Sequence, residues 1–162
     1  MKTKFLYYTE CACPMAIHPV GLKGLGVQVV IPIEDGPVEG DVINGCIKPL
    51  GADWNTIHLL GITSDVLAKY QIHTDDGAVI DLFTNGRMKV KWKDVPKNII
   101  TLKHHLSDYL YFREFLYFHT DDERYKWLET TPCFAIISMK FTLKNRVPYF
   151  LISYKAYAIE ED

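Results

Sequence analysis

Apolar residues recur at every second position along most of this chain. The clearest case is "DVLAKYQIHT", where Val66, Ala68, Tyr70 and Ile72 share one face and Lys69, Gln71 and His73 share the other. A period of two predicts a half-buried strand. The stretches "TKFLYYTE", "VQVVIPI" (Val27 to Ile33), "NTIHLLG", "AVIDLFT", "RMKVKW" and "YLYFREFLYFHT" read the same way, as do "CFAIISMKFTL" and "PYFLISYKAYAI". Turn chemistry separates them. Glu34-Asp-Gly-Pro37 ends one run, Asp76-Gly77 and Asn85-Gly86 each fit a tight hairpin, and "KNRV" joins the last two strands.

Two segments break the alternation. "KDVPKNIITLKHHLSD" contains Pro96 and reads as a long polar connection, with His104 and His105 on its surface. "TDDERYKWLE" resembles one short helix, with Thr120 as N-cap and Glu123 at the capping-box position. Eight to ten strands with one short helix exclude a βαβ architecture and indicate an all-β antiparallel fold. Several strands are apolar on both faces, as in Phe134 and Ile136 against Ala135 and Ile137. A closed β-barrel uses both faces and leaves no free edge, so a barrel is preferred to a sandwich.

Composition narrows the function classes. In 162 residues, 48% are hydrophobic and 23% charged, which suits one globular domain spanning 1–162. A net charge of −2 carries no footprint for nucleic acid or an anionic membrane. No apolar run is long enough for a transmembrane helix or a signal-peptide core, which makes the cytoplasm the expected location. Cys11, Cys13, Cys46 and Cys133 lack paired metal-ligand spacing and read as reduced thiols, with Cys11 and Cys13 pointing the same way. Neither a phosphate loop nor a nucleophile elbow is present, so no metal or cofactor is expected.

Residues that are awkward alone mark the candidate site. In Gly51-Ala52-Asp53-Trp54, turn chemistry accounts for the Gly and the Asp, while Trp54 suits a ligand platform at a barrel rim. Asp53, Asp76 and Asp81 are the candidate acids or bases. A hairpin needs only one of Asp75 and Asp76, and Asp81 alternates with Val79 and Phe83. Arg113 shares a strand face with Tyr111, Phe115, Tyr117 and His119, so burial there demands a carboxylate partner or an anionic or carbonyl-bearing ligand. Glu114 points the other way and reads as solvated. His73, Tyr111, His119 and Trp127 complete the ligand-facing candidates. The expectation is that Trp54, Arg113 and at least one of the three aspartates converge on one concave site.

"IEDGPVEGDVINGCIKPLGADW", "HTDDGAVIDLFTNG" and "YFREFLYFHTDDERYKWLE" together resemble the signatures of the domain of unknown function 3237 family, also called uncharacterised protein family 0311. The resemblance runs from Val20 to Ile159. It implies an antiparallel β-barrel of calycin-like shape and an activity not assigned for most members; fungal relatives are associated with natural-product pathways and proposed ring-closing chemistry. Asp35 replaces the first Gly of the family's Gly-Gly turn, and His119 replaces its Glu. Three functions fit this reading: a small-molecule-binding barrel, a cofactor-free acid–base enzyme (isomerase or intramolecular cyclase), and a homo-oligomeric assembly protein.

Overall fold

The computed structural model describes residues 1–14, 18–23, 26–58, 63–91, 93–95 and 106–161. Its ten strands are β1 (Thr3–Pro14), β2 (His18–Lys23), β3 (Gly26–Ile33), β4 (Gly36–Glu39), β5 (Gly45–His58), β6 (Thr63–Thr74), β7 (Val79–Val90), β8 (Leu110–His119), β9 (Cys133–Lys144) and β10 (Val147–Ile159). Every pairing is antiparallel. Strands β4, β1, β10, β9, β8, β7 and β6 run in that order, and β5 bonds to both β4 and β6, closing an eight-stranded barrel. Strand β3 lies beside the second half of β5, with β2 outside it. The wall between β1 and β5 is therefore β4 toward one end and β3 toward the other, tied to β1 where the Glu34 amide donates to the Ala12 carbonyl at 3.2 Å.

The predicted alternation holds on β6: Val66, Ala68, Tyr70 and Ile72 are buried, while Leu67 and Lys69 are exposed. Asp76-Gly77 turns the chain between β6 and β7, with Gly77 at φ +91°. Asn145 and Arg146 turn it between β9 and β10, both at positive φ, as a two-residue hairpin demands.

Three sequence expectations are corrected. Asn85-Gly86 is no hairpin; it lies within β7. Gly86 pairs with Glu114, and a Cβ there would stand 2.2 Å from the Arg113 carbonyl oxygen and 2.4 Å from Glu114 Cγ, so its glycine serves close approach. The GADW stretch does not turn at a rim either. It lies inside β5, where the register slips between Lys48 and Ala52, and a Cβ at Gly51 would meet the Lys69 carbonyl oxygen at 2.1 Å. Pro49, with no N–H to donate, sits in that irregularity. The expected short helix is a 3₁₀ turn, Lys126–Glu129. Glu123 makes no capping box; the Glu129 carboxylate instead accepts from the Thr120 amide at 2.9 Å. His104 and His105 lie outside the described residues.

The barrel interior is layered. Toward the end carrying the β6–β7 hairpin it is filled by Leu6, Ile43, Ile47, Ile72, Ile80 and Leu82. Toward the other end the filling stops short and leaves a cavity.

Candidate functional site in the barrel interior

The cavity occupies about 290 Å³. Ile31 and Ile33 of β3, Met88 of β7, Phe112 of β8, Met139 of β9 and Phe150 of β10 make most of its wall. Its polar lining is small: Asp53 and Asn55 of β5, Ser64 and Tyr70 of β6, and Tyr154 of β10. Cys11 and Cys13 face it from β1, on one side of the strand as their spacing predicted. Cys11, Cys13, Cys46 and Cys133 are all free thiols. Among the described residues, no Lys, Arg or His lines the cavity.

Asp53 is the carboxylate of this cavity. Its Oδ1 accepts from the Leu67 amide and its Oδ2 from Asn55 Nδ2, each at 3.2 Å. Asn55 is fixed in turn because its Oδ1 accepts from the Ser64 hydroxyl. Burial raises the Asp53 pKa to about 6, and these two hydrogen bonds offset the rise only in part. Cys11 is a poor thiolate: its hydrogen bond with Cys13, followed by burial, pushes its pKa well up. Burial also holds Tyr70 and Tyr154 well above the usual phenol range.

Glu114 lies deeper. It is 2% exposed and points inward with Phe112, Leu116 and Phe118, correcting the expectation that it is solvated. Burial raises its pKa to about 8. The Thr84 hydroxyl beside it opposes that rise only in part, and the Asp53 charge adds to it.

The expected convergence does not occur. Asp53 faces inward, but Trp54 faces outward and is 40% exposed. Trp54 instead shares an open outer groove with Lys69, Gln71, Asp81, Phe83 and Tyr117. There Asp81 accepts from Gln71 Nε2 at 2.8 Å, so the apolar face it shares with Phe83 is the barrel exterior. Arg113 lies farther along that exterior, over the Tyr111 ring at 4.9 Å, and donates to the Phe112 carbonyl at 2.7 Å. It forms no ion pair among the described residues. Tyr111 also receives Lys89, 5.2 Å from its centroid.

The remaining candidates are also external. Asp76 is held in the β6–β7 hairpin, accepting from Thr74, from the Tyr125 hydroxyl at 2.8 Å and from Arg124 Nη1 at 2.8 Å. His73 Nε2 lies 3.3 Å from Gln71 Oε1, and His119 Nδ1 lies 3.0 Å from Glu129 Oε1. Trp127 sits in the 3₁₀ turn beneath Lys4, whose Nζ is 5.2 Å from its ring. Among the described residues, no helix is long and apolar enough to cross a membrane, and no group of three or more His, Cys, Asp or Glu side chains could hold a metal ion.

Sequence reasoning missed Glu114, Asn55, Ser64 and Tyr154. One usable signal was present: Glu114 alternates with Phe112, Leu116 and Phe118, as apolar a set as the one around Arg113.

The family model for DUF3237, described as a protein of unknown function, matches residues 1–159. A UPF0311 protein of Rhodopseudomonas palustris strain TIE-1 is 30% identical over 79% of this chain and 82% of its own length. The crystal structure of a protein with unknown function from Clostridium acetobutylicum superposes with a TM-score of 0.77 at 25% identity, covering 99% of this chain and 100% of the other. A Penicillium herquei protein described as an enzyme shares the fold, with a TM-score of 0.58 at 16% identity over 93% of each chain. From the family-model match over residues 1–159 and the 30% identical relative, the chain belongs to the DUF3237 family of proteins of unknown function.

Proposed function

We propose that the barrel cavity binds a small, uncharged, largely apolar molecule carrying a hydroxyl or carbonyl group. The observation that carries this reading is the lining: an apolar wall around about 290 Å³, with Asp53 as its carboxylate and no cation among the described residues. Such a site recognises a ligand by shape and a few placed polar groups. An anionic ligand suits the Arg113 surface better than this cavity, because among the described residues no positive group faces inward to offset the Asp53 charge. The carbonyl-bearing class remains a match, with Tyr70 and Tyr154 as hydroxyl donors.

A second reading, cofactor-free acid–base catalysis, is favoured by one specific feature. With its pKa raised to about 6, Asp53 is ionised at neutral pH and basic enough to accept a proton from a bound molecule. Isomerisation or intramolecular cyclisation would need no more than removal and return of that proton. The fold neighbour from Penicillium herquei, described as an enzyme, is compatible with this reading.

The test uses naphthol as probe, an apolar body with one hydroxyl, followed by its own fluorescence. Wild-type protein should bind it saturably. Ile57 of β5 also lines the cavity, so Ile57→Trp, which would fill it, should abolish binding, and Asp53→Asn should weaken it without unfolding the barrel. Equal binding by wild type and Ile57→Trp would place the probe elsewhere and end the proposal.

A further inference from the structure

We propose that Glu114, Tyr7, Tyr70 and Thr84 enclose a second, polar chamber beneath the cavity, which holds water and stores a proton that reaches the cavity through Tyr70. The proposal deepens the acid–base reading and depends on it only for what happens to the ligand.

The chamber rests first on five orphaned atoms. Tyr7 Oη, Tyr70 Oη, Thr84 Oγ1 and both Glu114 carboxyl oxygens are buried with no partner at hydrogen-bond distance among the described residues, although Tyr7 stands next to Tyr70 and Thr84 next to Glu114. Buried polar groups are ordinarily paired, and exceptions cluster where water or a reacting group completes the set. These five do not lie scattered. Tyr7 comes from β1, and the others come from β6, β7 and β8, which lie across the barrel from β1 in the strand order. Their side chains therefore meet near the axis. A water there would find the two to four polar partners it needs, since three hydroxyls can donate or accept and a neutral carboxyl can do both.

The inward place of Glu114 is built into the sequence. Glu114 faces Gly86 on β7, and any larger residue at 86 would strike Glu114 Cγ. Among the described residues, the titratable groups that interact with Glu114 are Tyr7 and Cys11 of β1, Asp53 of β5, Tyr70 of β6 and Tyr154 of β10. None is a cation. The Thr84 hydroxyl favours the carboxylate but is outweighed by burial, so Glu114 stays a neutral acid at neutral pH. Asp53, closer to the cavity, is ionised at the same pH. Two carboxyl groups with separated proton affinities divide into an acid and a base.

Tyr70 joins the two compartments, because it lines the cavity and also offers one of the orphaned hydroxyls. When Asp53 takes a proton from the bound molecule, the ligand oxygen gains negative charge and receives the Tyr70 hydroxyl proton. The Glu114 proton replaces it through chamber water, leaving Glu114 as the carboxylate. The reverse transfers, as Asp53 returns its proton to the ligand, restore both acids, so no proton is gained or lost overall. Glu114 is thus a positioning residue that acts through Tyr70.

Infrared difference spectra of the ligand-free protein at neutral pH test the chamber directly. Wild type minus Glu114→Gln should show the carbonyl stretch of a neutral carboxylic acid. That band should move in heavy water and move again in Tyr70→Phe. If Glu114→Gln does not fold, glutamate labelled at its side-chain carboxyl assigns the band in wild type and excludes Asp53. A carboxylate signal for Glu114 at neutral pH, or a band indifferent to Tyr70→Phe, would overturn the proposal. Naphthol binding should then shift the band, and bound naphthol that leaves it unmoved would break the link between chamber and cavity. Failure of naphthol to bind at all counts against the cavity reading alone, because the ligand-free spectra judge the chamber separately.

Discussion

Asp53 and Glu114 sit inside the barrel with their carboxyl groups held above the usual range, to about 6 and about 8, whereas Asp76, Asp122 and Glu129 are held below it outside. The inner pair is governed by burial, which penalises charge. The outer group is governed by donors: Thr74 and Tyr125 on Asp76, Arg124 on Asp122, to about 2, and the Thr120 amide and Lys126 on Glu129. The same contrast divides a single strand. On β8, Phe112, Glu114, Leu116 and Phe118 face the interior, while Tyr111, Arg113, Phe115 and Tyr117 face outward. Both faces carry aromatics and one charged residue. Among the described residues the outer charge lies over the Tyr111 ring, in contact with solvent, and donates to a backbone carbonyl. The inner acid is instead buried with only the Thr84 hydroxyl beside it, and there the difference between a tethering acid and a chemically usable one arises.

The sharpest way to break this contrast is to remove the space that Glu114 occupies. Gly86→Ala puts a methyl 2.2 Å from backbone oxygen and 2.4 Å from Glu114 Cγ. Urea denaturation should show a loss of about 3 kcal/mol, the upper part of the usual overpacking range. A neutral outcome would mean that Glu114 does not lie against Gly86.

The opposite directions of the two acid populations give the next test. Glu114 has a folded pKa raised from 4.5 to about 8, so its contribution is fully present below 4.5 and is lost as pH rises through 8. The stability of wild type should fall over that interval by about 2 kcal/mol, well inside the limit set by the shift. Glu114→Gln should flatten that slope. Asp76 and Asp122 have the reverse sign: their stabilisation is present above the ordinary value of 3.8 and lost as pH falls through their depressed values. Asp76→Asn should therefore blunt the acid limb and leave the alkaline limb unchanged. A Glu114→Gln variant with the wild-type slope above pH 5 would remove the inner acid from the account.

On the exterior, small effects are expected. Arg113→Ala and Asp81→Asn should each change stability by no more than about 0.5 kcal/mol, as surface substitutions do. Neither should alter naphthol binding. A tenfold loss in either variant would move the site to the outer surface, to residues that the sequence alone selected.

Much of the fold was legible in the sequence because one period dominates it. The alternation on β6, the Asp76-Gly77 turn and the β9–β10 hairpin follow from local chemistry. The glycines were not legible in the same way. Gly86 and Gly51 carry turn-like neighbours, yet both answer to contacts with a strand distant in sequence. The site was half legible for a related reason. Asp53, one of the three aspartates selected from the sequence, faces the cavity, but β8 is apolar on both faces, so nothing in its own pattern decides whether Arg113 or Glu114 is inside. Closure of the barrel decides it, through the pairing of Gly86 with Glu114.

The central claim is that the inner cavity, and not the outer groove, is the binding site, and one spectrum can read both. Met88 and Met139 line the cavity, while Trp54 lines the groove. In protein labelled at the methionine methyls and the tryptophan indoles, naphthol titration followed by nuclear magnetic resonance should shift the Met88 and Met139 signals to saturation and leave the Trp54 indole in place. A Trp54 indole that moves while both methyl signals stay fixed would contradict the account.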